Sequence, residues 1–176
     1  MIKNKKKILI LYSSFTGNTE KVAYGIYEGF REGGLNPEIK KLNSIENINL
    51  KAYDFVCIGS PVIWRLPTES IILSIRNIPR PQEKIIPDGS KKAIVFCTYA
   101  GIHLGPKESE AALKMLEIEI EHLGFKVIDR LSIPGKYGNN PNTIKWYHGD
   151  MTDRPNQKDI EKCKNFGYTL AKKIKK

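Results

Sequence analysis

Long apolar segments are missing from this sequence of 176 residues. The longest apolar runs have the length of a strand, and none approaches the ~20 residues that a helix needs to span a bilayer. The N-terminus also lacks the apolar region of a signal peptide. With 40% hydrophobic residues the chain can bury one core but is too short for two. We therefore expect a single cytoplasmic domain over residues 1–176, without a membrane span.

Cysteine is scarce, and its positions fit no metal or redox motif. Cys57, Cys97 and Cys163 have neither CxxC, zinc nor iron–sulfur spacing. Each falls within a predicted strand or helix, where cysteine usually acts as a small buried hydrophobe. We assign these residues no chemistry and expect no metal site.

Acidic residues are outnumbered, with 19 against 29 basic residues and a net charge of +10. Lysines near both ends contribute part of the excess, and such tails are more often solvated than bound. The charge is not accompanied by a DNA-binding motif or an aromatic-interleaved basic stripe, so we expect no nucleic-acid partner. An acidic protein or an anionic ligand fits better, through electrostatic steering.

Strand-like and helix-period segments alternate in five rounds along the chain. Apolar runs predict strands at residues 8–12, 55–59 and 93–99, and we place a further strand at residues 126–133. A less apolar run at residues 38–42 predicts a strand at a sheet edge. Helical spacing of apolar residues predicts helices at about residues 18–31, 67–78, 107–122 and from 157. This alternation indicates an α/β fold, an open doubly wound five-stranded parallel sheet with helices on both faces.

A hydroxyl-rich turn follows the first strand, and we call residues 14–19 the first loop. The first N–H groups of a helix have no partner within it, so a turn before a helix can hold an anion. The hydroxyls of Ser14, Thr16 and Thr19 can donate to phosphate oxygens, and Gly17 permits close approach of the backbone. No lysine follows the glycine and GxGxxG is absent, which excludes two common nucleotide loops. The turn therefore predicts a site for one terminal phosphate, held by neutral donors and the helix dipole.

Two more loops follow strands of the same predicted sheet, the second loop (residues 60–66) and the third loop (residues 99–105). Loops after parallel strands share the carboxyl edge of the sheet, where ligands bind. Trp64 and Tyr99 bring flat faces that can stack on an aromatic ring. The three loops together predict an aromatic ligand with a phosphate tail.

Residues 134–156, which we call the late segment, interrupt the alternation after the fifth strand. Loops of this length are usually functional or disordered, and the aromatic residues Trp146 and Tyr147 argue against disorder. We expect this segment to cover one edge of the site or to form a surface for a substrate or partner.

The first loop resembles the phosphate loop of the flavodoxins, Ser/Thr-x-Thr-Gly-x-Thr, in its sequence Ser14-Phe15-Thr16-Gly17-Asn18-Thr19. Gly59-Ser60-Pro61 with Trp64 is similar to their second flavin loop, and Thr98-Tyr99-Ala100-Gly101 is similar to their third. The resemblance implies sheet order 2-1-3-4-5 and bound FMN, with its phosphate in the first loop and its ring between the other two. The residues implied in cofactor binding are Ser14, Phe15, Thr16, Gly17, Asn18, Thr19, Ser60, Pro61, Val62, Ile63, Trp64, Thr98, Tyr99, Ala100 and Gly101.

The chain departs from the flavodoxins in its charge and in its second loop. Typical electron-carrying flavodoxins are acidic, and their second loop commonly has a glycine at a peptide that requires positive φ. Residues 61–65 contain no glycine. Arg65 or His103 near the flavin would favour two-electron reduction. As solvated loop charges, which we favour, they would have no such effect.

Three functions remain open on the sequence alone. The single-domain plan favours electron transfer through FMN to a redox partner protein. The late segment, with Trp146, Tyr147 and His148, and the missing glycine favour an FMN-dependent enzyme. Such an enzyme would be a quinone-type NAD(P)H reductase or a flavodoxin-like oxidase acting on a small aromatic acceptor. In the third function, which is not redox, the basic surface binds an anionic partner.

Overall fold

The five predicted strands form one parallel sheet. The computed structural model describes residues 6–80, 89–101, 104–136 and 151–175. The strands are β1 (Ile8–Ser13), β2 (Glu38–Leu42), β3 (Phe55–Pro61), β4 (Lys92–Tyr99) and β5 (Lys126–Pro134). They lie in the order β2-β1-β3-β4-β5. The expected fold class and strand order are confirmed.

Burial along the strands explains why the apolar runs predicted them. All six residues of β1 and the first six of β3 are buried, because both strands are covered by helices on both faces. β2 alternates exposed and half-buried residues before Leu42, as expected for an edge strand. β3 runs two residues beyond the predicted end, since Ser60 and Pro61 still pair with Cys97 and Thr98 of β4.

Within the described ranges, four α-helices cover the two faces of the sheet. They are α1 (Asn18–Glu32), α2 (Glu69–Arg76), α3 (Glu110–Glu121) and α4 (Gln157–Lys175). Leu9 and Leu11 of β1 belong to the core cluster beneath α2 and α3, whereas Ile8 and Ile10 belong to the one beneath α1 and α4. This division follows from the alternation of side chains along a strand.

One predicted helix starts later than the sequence pattern indicated. We expected it from about residue 107, but residues Gly105–Ser109 form a 3₁₀ turn and α3 begins at Glu110. The Ser109 hydroxyl donates to the carbonyl of Pro106, 2.7 Å away, and so closes the 3₁₀ turn. A second 3₁₀ turn, Leu50–Ala52, lies in the connection between β2 and β3.

The glycines of α1 face α4. A Cβ at Gly25 would lie 2.7 Å from the Cβ of Cys163, and a Cβ at Gly29 would overlap the carbonyl of Lys164. Gly167 of α4 meets the carbonyl of Ile26 in the same way. The two helices therefore pack with their backbones in contact, which side chains at these positions would prevent.

The cysteines are buried, as expected, and carry no disulfide. Burial raises the pKa of the Cys57 and Cys97 thiols well above the ordinary value. It also raises the pKa of Cys163 to about 12, with a smaller contribution from Asp159. Among the helices of the described ranges, none has the length and apolar content needed to cross a membrane.

Candidate functional site

A cavity of about 320 Å³ opens at the carboxyl ends of the strands. This volume is at the lower end of the ~300–1,000 Å³ usual for ligand sites. All three predicted loops reach it, together with two residues that follow β5. The residues that line it are Phe15, Thr16, Asn18, Thr19, Pro61, Val62, Ile63, Thr98, Tyr99, Ala100, Gly135 and Lys136. The sequence-predicted residues Ser14, Gly17, Ser60, Trp64 and Gly101 lie in the same loops but do not line the cavity.

Two more open grooves lie away from this edge. The larger, about 520 Å³, borders β2 and the connection around Asn49 and Tyr53. The other borders β5 and Glu117 of α3. None of the three predicted loops contributes to either groove, so we place the candidate site in the smaller cavity at the strand ends.

The backbone of the first loop presents free donors to open space. Gly17 has a φ of 83°, a left-handed conformation that suits glycine, and it directly precedes α1. The N–H of Lys21 donates to the Gly17 carbonyl, 3.0 Å away, and begins the helix. The N–H groups of residues 15–19 donate to no residue of the described chain. A Cβ at Gly17 would meet no atom within 4 Å. Successive free N–H groups at a helix N-terminus form an anion site.

The three hydroxyls of the first loop differ in whether their protons are available for a hydrogen bond to a ligand. Thr16 is exposed and its hydroxyl has no partner among the described residues. The Ser14 hydroxyl accepts the N–H of Glu20 at 3.3 Å, which leaves its proton available. Thr19 is buried and shares one hydrogen bond with the Thr98 hydroxyl at 2.8 Å. Thr16 is therefore the best placed of the three to donate to a phosphate.

Asn18 connects the first loop to the chain that leaves β5. Its side-chain amide donates to the carbonyl of Lys136, 2.8 Å away. Gly135 packs against the same side chain, since a Cβ there would lie 3.0 Å from Asn18 Nδ2. The N–H of Gly135 donates to the carbonyl of Tyr99 at 2.8 Å. The sequence analysis did not name Gly135 and Lys136 as site residues, although both belong to the late segment that it expected at an edge of the site, and the strand-end rule also applies to β5.

The second loop has left-handed backbone without a glycine. Ile63 and Leu66 exchange two backbone hydrogen bonds of 2.9 Å, which close a tight turn. The two residues between them, Trp64 and Arg65, have φ of 51° and 67°. A two-residue turn of this kind needs positive φ at both central positions. The absence of glycine therefore does not keep this loop out of the left-handed region, because the flanking hydrogen bonds hold it there.

Trp64 lies at the tip of this turn and is 92% exposed. Phe15, in the first loop, is 71% exposed and borders the cavity. Arg65 is also exposed and pairs with no carboxylate of the described residues. The stacking role expected of Trp64 stays a prediction, since the turn presents this side chain to solvent.

Behind the second loop, buried hydroxyls bond to one another. Ser60 Oγ accepts the N–H of Thr68 at 2.8 Å and donates to the carbonyl of Pro61 at 2.9 Å. Ser13 Oγ lies 2.5 Å from Thr68 Oγ1. The Ser60 side chain therefore supports the start of α2. Any contact of Ser60 with a ligand would come from its backbone.

The third loop contributes Tyr99, which borders the cavity although it is only 7% exposed. Burial raises the pKa of the Tyr99 phenol above its ordinary value. Arg154 lowers this pKa and Asp159 raises it, and the net shift is upward. Arg154, which precedes α4, forms an ion pair of 2.6 and 2.7 Å with Asp159 in the first turn of that helix. Gly101 has a φ of 119°, a backbone conformation that favours glycine. Tyr99 is thus a neutral wall of the cavity.

Several predicted residues lie outside the described residues. They are His103 and three members of the late segment, Trp146, Tyr147 and His148. The roles expected of them stay predictions. Of the late segment, residues 134–136 and 151–156 are described, and Lys136 donates its N–H to the carbonyl of Arg154 at 2.9 Å.

Comparison with known proteins agrees with this geometry. The family described as flavodoxin domain matches residues 9–67, which contain the first and second loops. An uncharacterized protein of Methanocaldococcus jannaschii is 25% identical over 97% of this chain. This chain spans only 37% of the length of that relative and of a second one from the same organism. A probable flavodoxin 1 of Bacillus subtilis is 27% identical over 91% of this chain and 87% of its own length.

Solved structures share the fold. The crystal structure of oxidised Flavodoxin 2 from Bacillus cereus superposes with a TM-score of 0.67 at 23% identity. The match covers 95% of this chain and 99% of that one. The chain is therefore similar to the flavodoxin domain over its first two loops, and its sheet has the flavodoxin-like fold.

Proposed function

We propose that this chain binds FMN in the cavity at the strand ends and transfers electrons through it to a partner protein. The observation that carries the proposal is the first loop, where five successive N–H groups and the Thr16 hydroxyl have no partner in the described chain. Donors of this number around open space suit a phosphate. The flavodoxin-domain match over the same loop supports a flavin-binding redox protein.

The residues of the cavity fit the two chemical parts of FMN. Thr16, Gly17 and the N-terminus of α1 would hold the phosphate. Pro61, Val62 and Ile63 on one side, with Tyr99 and Ala100 on the other, offer the apolar walls that a flat ring needs. Bound FMN supplies one- and two-electron redox chemistry that no side chain here provides.

The side chains around the cavity would shield the ring and receive a partner. Tyr99 stays neutral and excludes water from the inner wall. Phe15, Ile63 and Trp64 leave apolar surface exposed at the outer rim. Exposed aromatic residues of this kind are common at protein interfaces. With a net charge of +10, the chain would attract an acidic redox partner over a long range.

Reconstitution tests the cofactor assignment. The purified chain, stripped of any ligand, is titrated with FMN and with riboflavin while flavin fluorescence is recorded. We expect FMN to bind much more tightly, because riboflavin lacks the phosphate that the first loop would hold. Equal affinity for both flavins would contradict a phosphate site, and failure to retain either would overturn the proposed function.

A kinetic assay distinguishes the carrier from the enzyme that the sequence leaves open. The reconstituted protein is mixed with NAD(P)H and a quinone, and nicotinamide absorbance is followed. A carrier without a substrate site gives no steady turnover unless a reductase is added. Steady turnover without a reductase would favour the alternative, an FMN-dependent reductase acting on a small aromatic acceptor.

A further inference from the structure

Lys136 brings a positive charge to a cavity that the sequence predicted to hold phosphate through neutral donors. It is the only charged residue among the described residues that line the cavity. It is the second residue after β5 and is half-buried. A lysine in this position bears on the chemistry of whatever anion the cavity holds.

The backbone of Lys136 is held next to the first loop from both sides. Its carbonyl accepts the Asn18 amide at 2.8 Å, and Asn18 is the first residue of α1. Its N–H donates to the carbonyl of Arg154 at 2.9 Å. These two bonds place the Lys136 backbone beside the helix N-terminus where the free N–H groups lie. Its position therefore does not depend on a ligand.

The charge of Lys136 is not cancelled by a described carboxylate. The nearby Arg154 is paired with Asp159 at 2.6 Å, whereas Lys136 forms no ion pair within the described parts of the chain. The acid in the first turn of α1, Glu20, is already bound. It accepts the Tyr12 hydroxyl at 2.8 Å, and Lys41 lies 3.3 Å away. A positive charge thus remains available at the cavity.

We infer that Lys136 binds the cofactor phosphate together with the first loop. This inference rests on the proposed FMN site. A lysine ammonium acts on phosphate as a mobile point charge, so it needs no fixed hydrogen-bond geometry. It would add Coulombic attraction to the neutral donors of the loop and the dipole of α1.

The charge of Lys136 should make FMN binding depend on pH. A phosphate monoester gains its second negative charge near pH ~6. A nearby lysine favours the doubly charged form, so FMN affinity should rise between about pH 5 and about pH 7.5. Without the lysine the same rise should be smaller, because only the neutral donors and the helix dipole distinguish the two forms.

The test compares Lys136→Gln with two controls by fluorescence titration of the full chain. Lys136→Arg keeps the charge at this position. Lys126→Gln removes one charge at the opposite end of β5, so it matches the change in net charge. We expect Lys136→Gln to weaken FMN binding about 5- to 30-fold, the range for a charged group on a partly exposed phosphate. Riboflavin binding by Lys136→Gln should stay unchanged. FMN binding should be unchanged in Lys126→Gln, and Lys136→Arg should recover most of the affinity that Lys136→Gln loses.

The outcomes separate this inference from the proposed function. If the unmodified chain binds no FMN, the proposed function fails. If it binds FMN and Lys136→Gln binds equally well, only the role of Lys136 is overturned. Equal weakening of FMN and riboflavin also overturns it, because a packing defect would then explain the loss. Thermal unfolding of each variant checks that the fold is intact. If the FMN affinity of Lys136→Gln depends less on salt and pH than that of the unmodified chain, the result directly supports a role for the Lys136 charge.

Discussion

The side-chain amide of Asn18 donates a 2.8 Å hydrogen bond to the carbonyl of Lys136, a residue 118 positions further along the chain. Gly135 packs on the same amide and donates its N–H to Tyr99. The Asn18 side chain therefore connects the first loop to the chain after β5, and Gly135 connects that chain to the third loop. The shape of the candidate site depends on this connection.

Replacing Asn18 by alanine should destabilise the protein by about 0.5–1.5 kcal/mol, because a partly buried hydrogen bond is lost. Urea unfolding measures the change. Asn165→Ala is the matched control, since Asn165 is exposed on α4 and makes a long 3.4 Å bond to Glu161. That variant should be neutral or slightly more stable, because alanine has the higher helix propensity. Equal losses in both variants would contradict the connecting role of Asn18.

Thr16→Ala should weaken FMN binding by about 1.5–3 kcal/mol, the value of a hydrogen bond to a charged group. Riboflavin binding should not change, since riboflavin has no phosphate. The unfolding free energy should stay within about 0.5 kcal/mol, because Thr16 is exposed and unbonded in the described chain. Thr16→Ser, which keeps the hydroxyl, is the control in the same fluorescence titration. A loss of riboflavin binding equal to that of FMN would contradict the assignment of Thr16 to the phosphate.

The destabilisation caused by alanine and by asparagine should rank in opposite orders at Gly17 and Gly59. Gly17 has a φ of 83° and open space around it, so alanine costs about 1–2 kcal/mol through its backbone alone. Asparagine tolerates that conformation better and should cost less. At Gly59 any Cβ overlaps the buried ring of Phe96, so asparagine should cost more than alanine. Urea unfolding of the four variants gives the order. If alanine and asparagine rank in the same order at both positions, either the explanation by φ at Gly17 or the explanation by overlap with Phe96 at Gly59 is wrong.

Arg65→Gly should raise the unfolding free energy by up to about 1 kcal/mol. Glycine adopts the φ of 67° without steric cost, although part of the gain is offset by its greater freedom in the unfolded chain. Arg65→Ala removes the same charge but keeps a Cβ, so it should give no gain. Urea unfolding at fixed pH compares the two. An equal gain in unfolding free energy for Arg65→Ala would contradict the backbone explanation, because it would show that removal of the Arg65 charge causes the effect.

The buried thiols should make the protein less stable at alkaline pH. Burial raises the pKa of Cys163 to about 12, so the unfolded chain releases this proton first. The thiol's contribution to the unfolding free energy is complete below its ordinary pKa of ~8.5 and falls as pH rises toward about 12. Cys57 and Cys97 act in the same direction. Urea unfolding should therefore show a shallower alkaline decline for Cys163→Ala than for the unmodified chain.

A thiol reagent provides an independent check of the cysteines. In the native protein at mildly alkaline pH, Cys57, Cys97 and Cys163 should react only as fast as the protein unfolds, because all three are buried. Rapid reaction of any one of them with the folded chain would contradict the burial on which the alkaline prediction depends.

The sheet was predictable from the sequence because its central strands are covered on both faces. Continuous burial along β1 and β3 requires continuous apolar runs, and such runs are visible without any tertiary information. The first loop was predictable for a similar reason. Gly17 and the residues around it form a local unit of strand, turn and helix, so neighbours in sequence are also neighbours in space.

The sequence by itself therefore determined the strands, the edge position of β2 and the turn between β1 and α1. Only the tertiary structure decided that Lys136 joins the cavity beside Asn18, and that the glycines of α1 face α4. It also decided that Trp64 and Arg65 are left-handed. The first two depend on contacts between segments more than a hundred residues apart, which no local pattern records. The turn is decided by the pairing of Ile63 with Leu66, whose hydrogen bonds outweigh the local preference of non-glycine residues for negative φ.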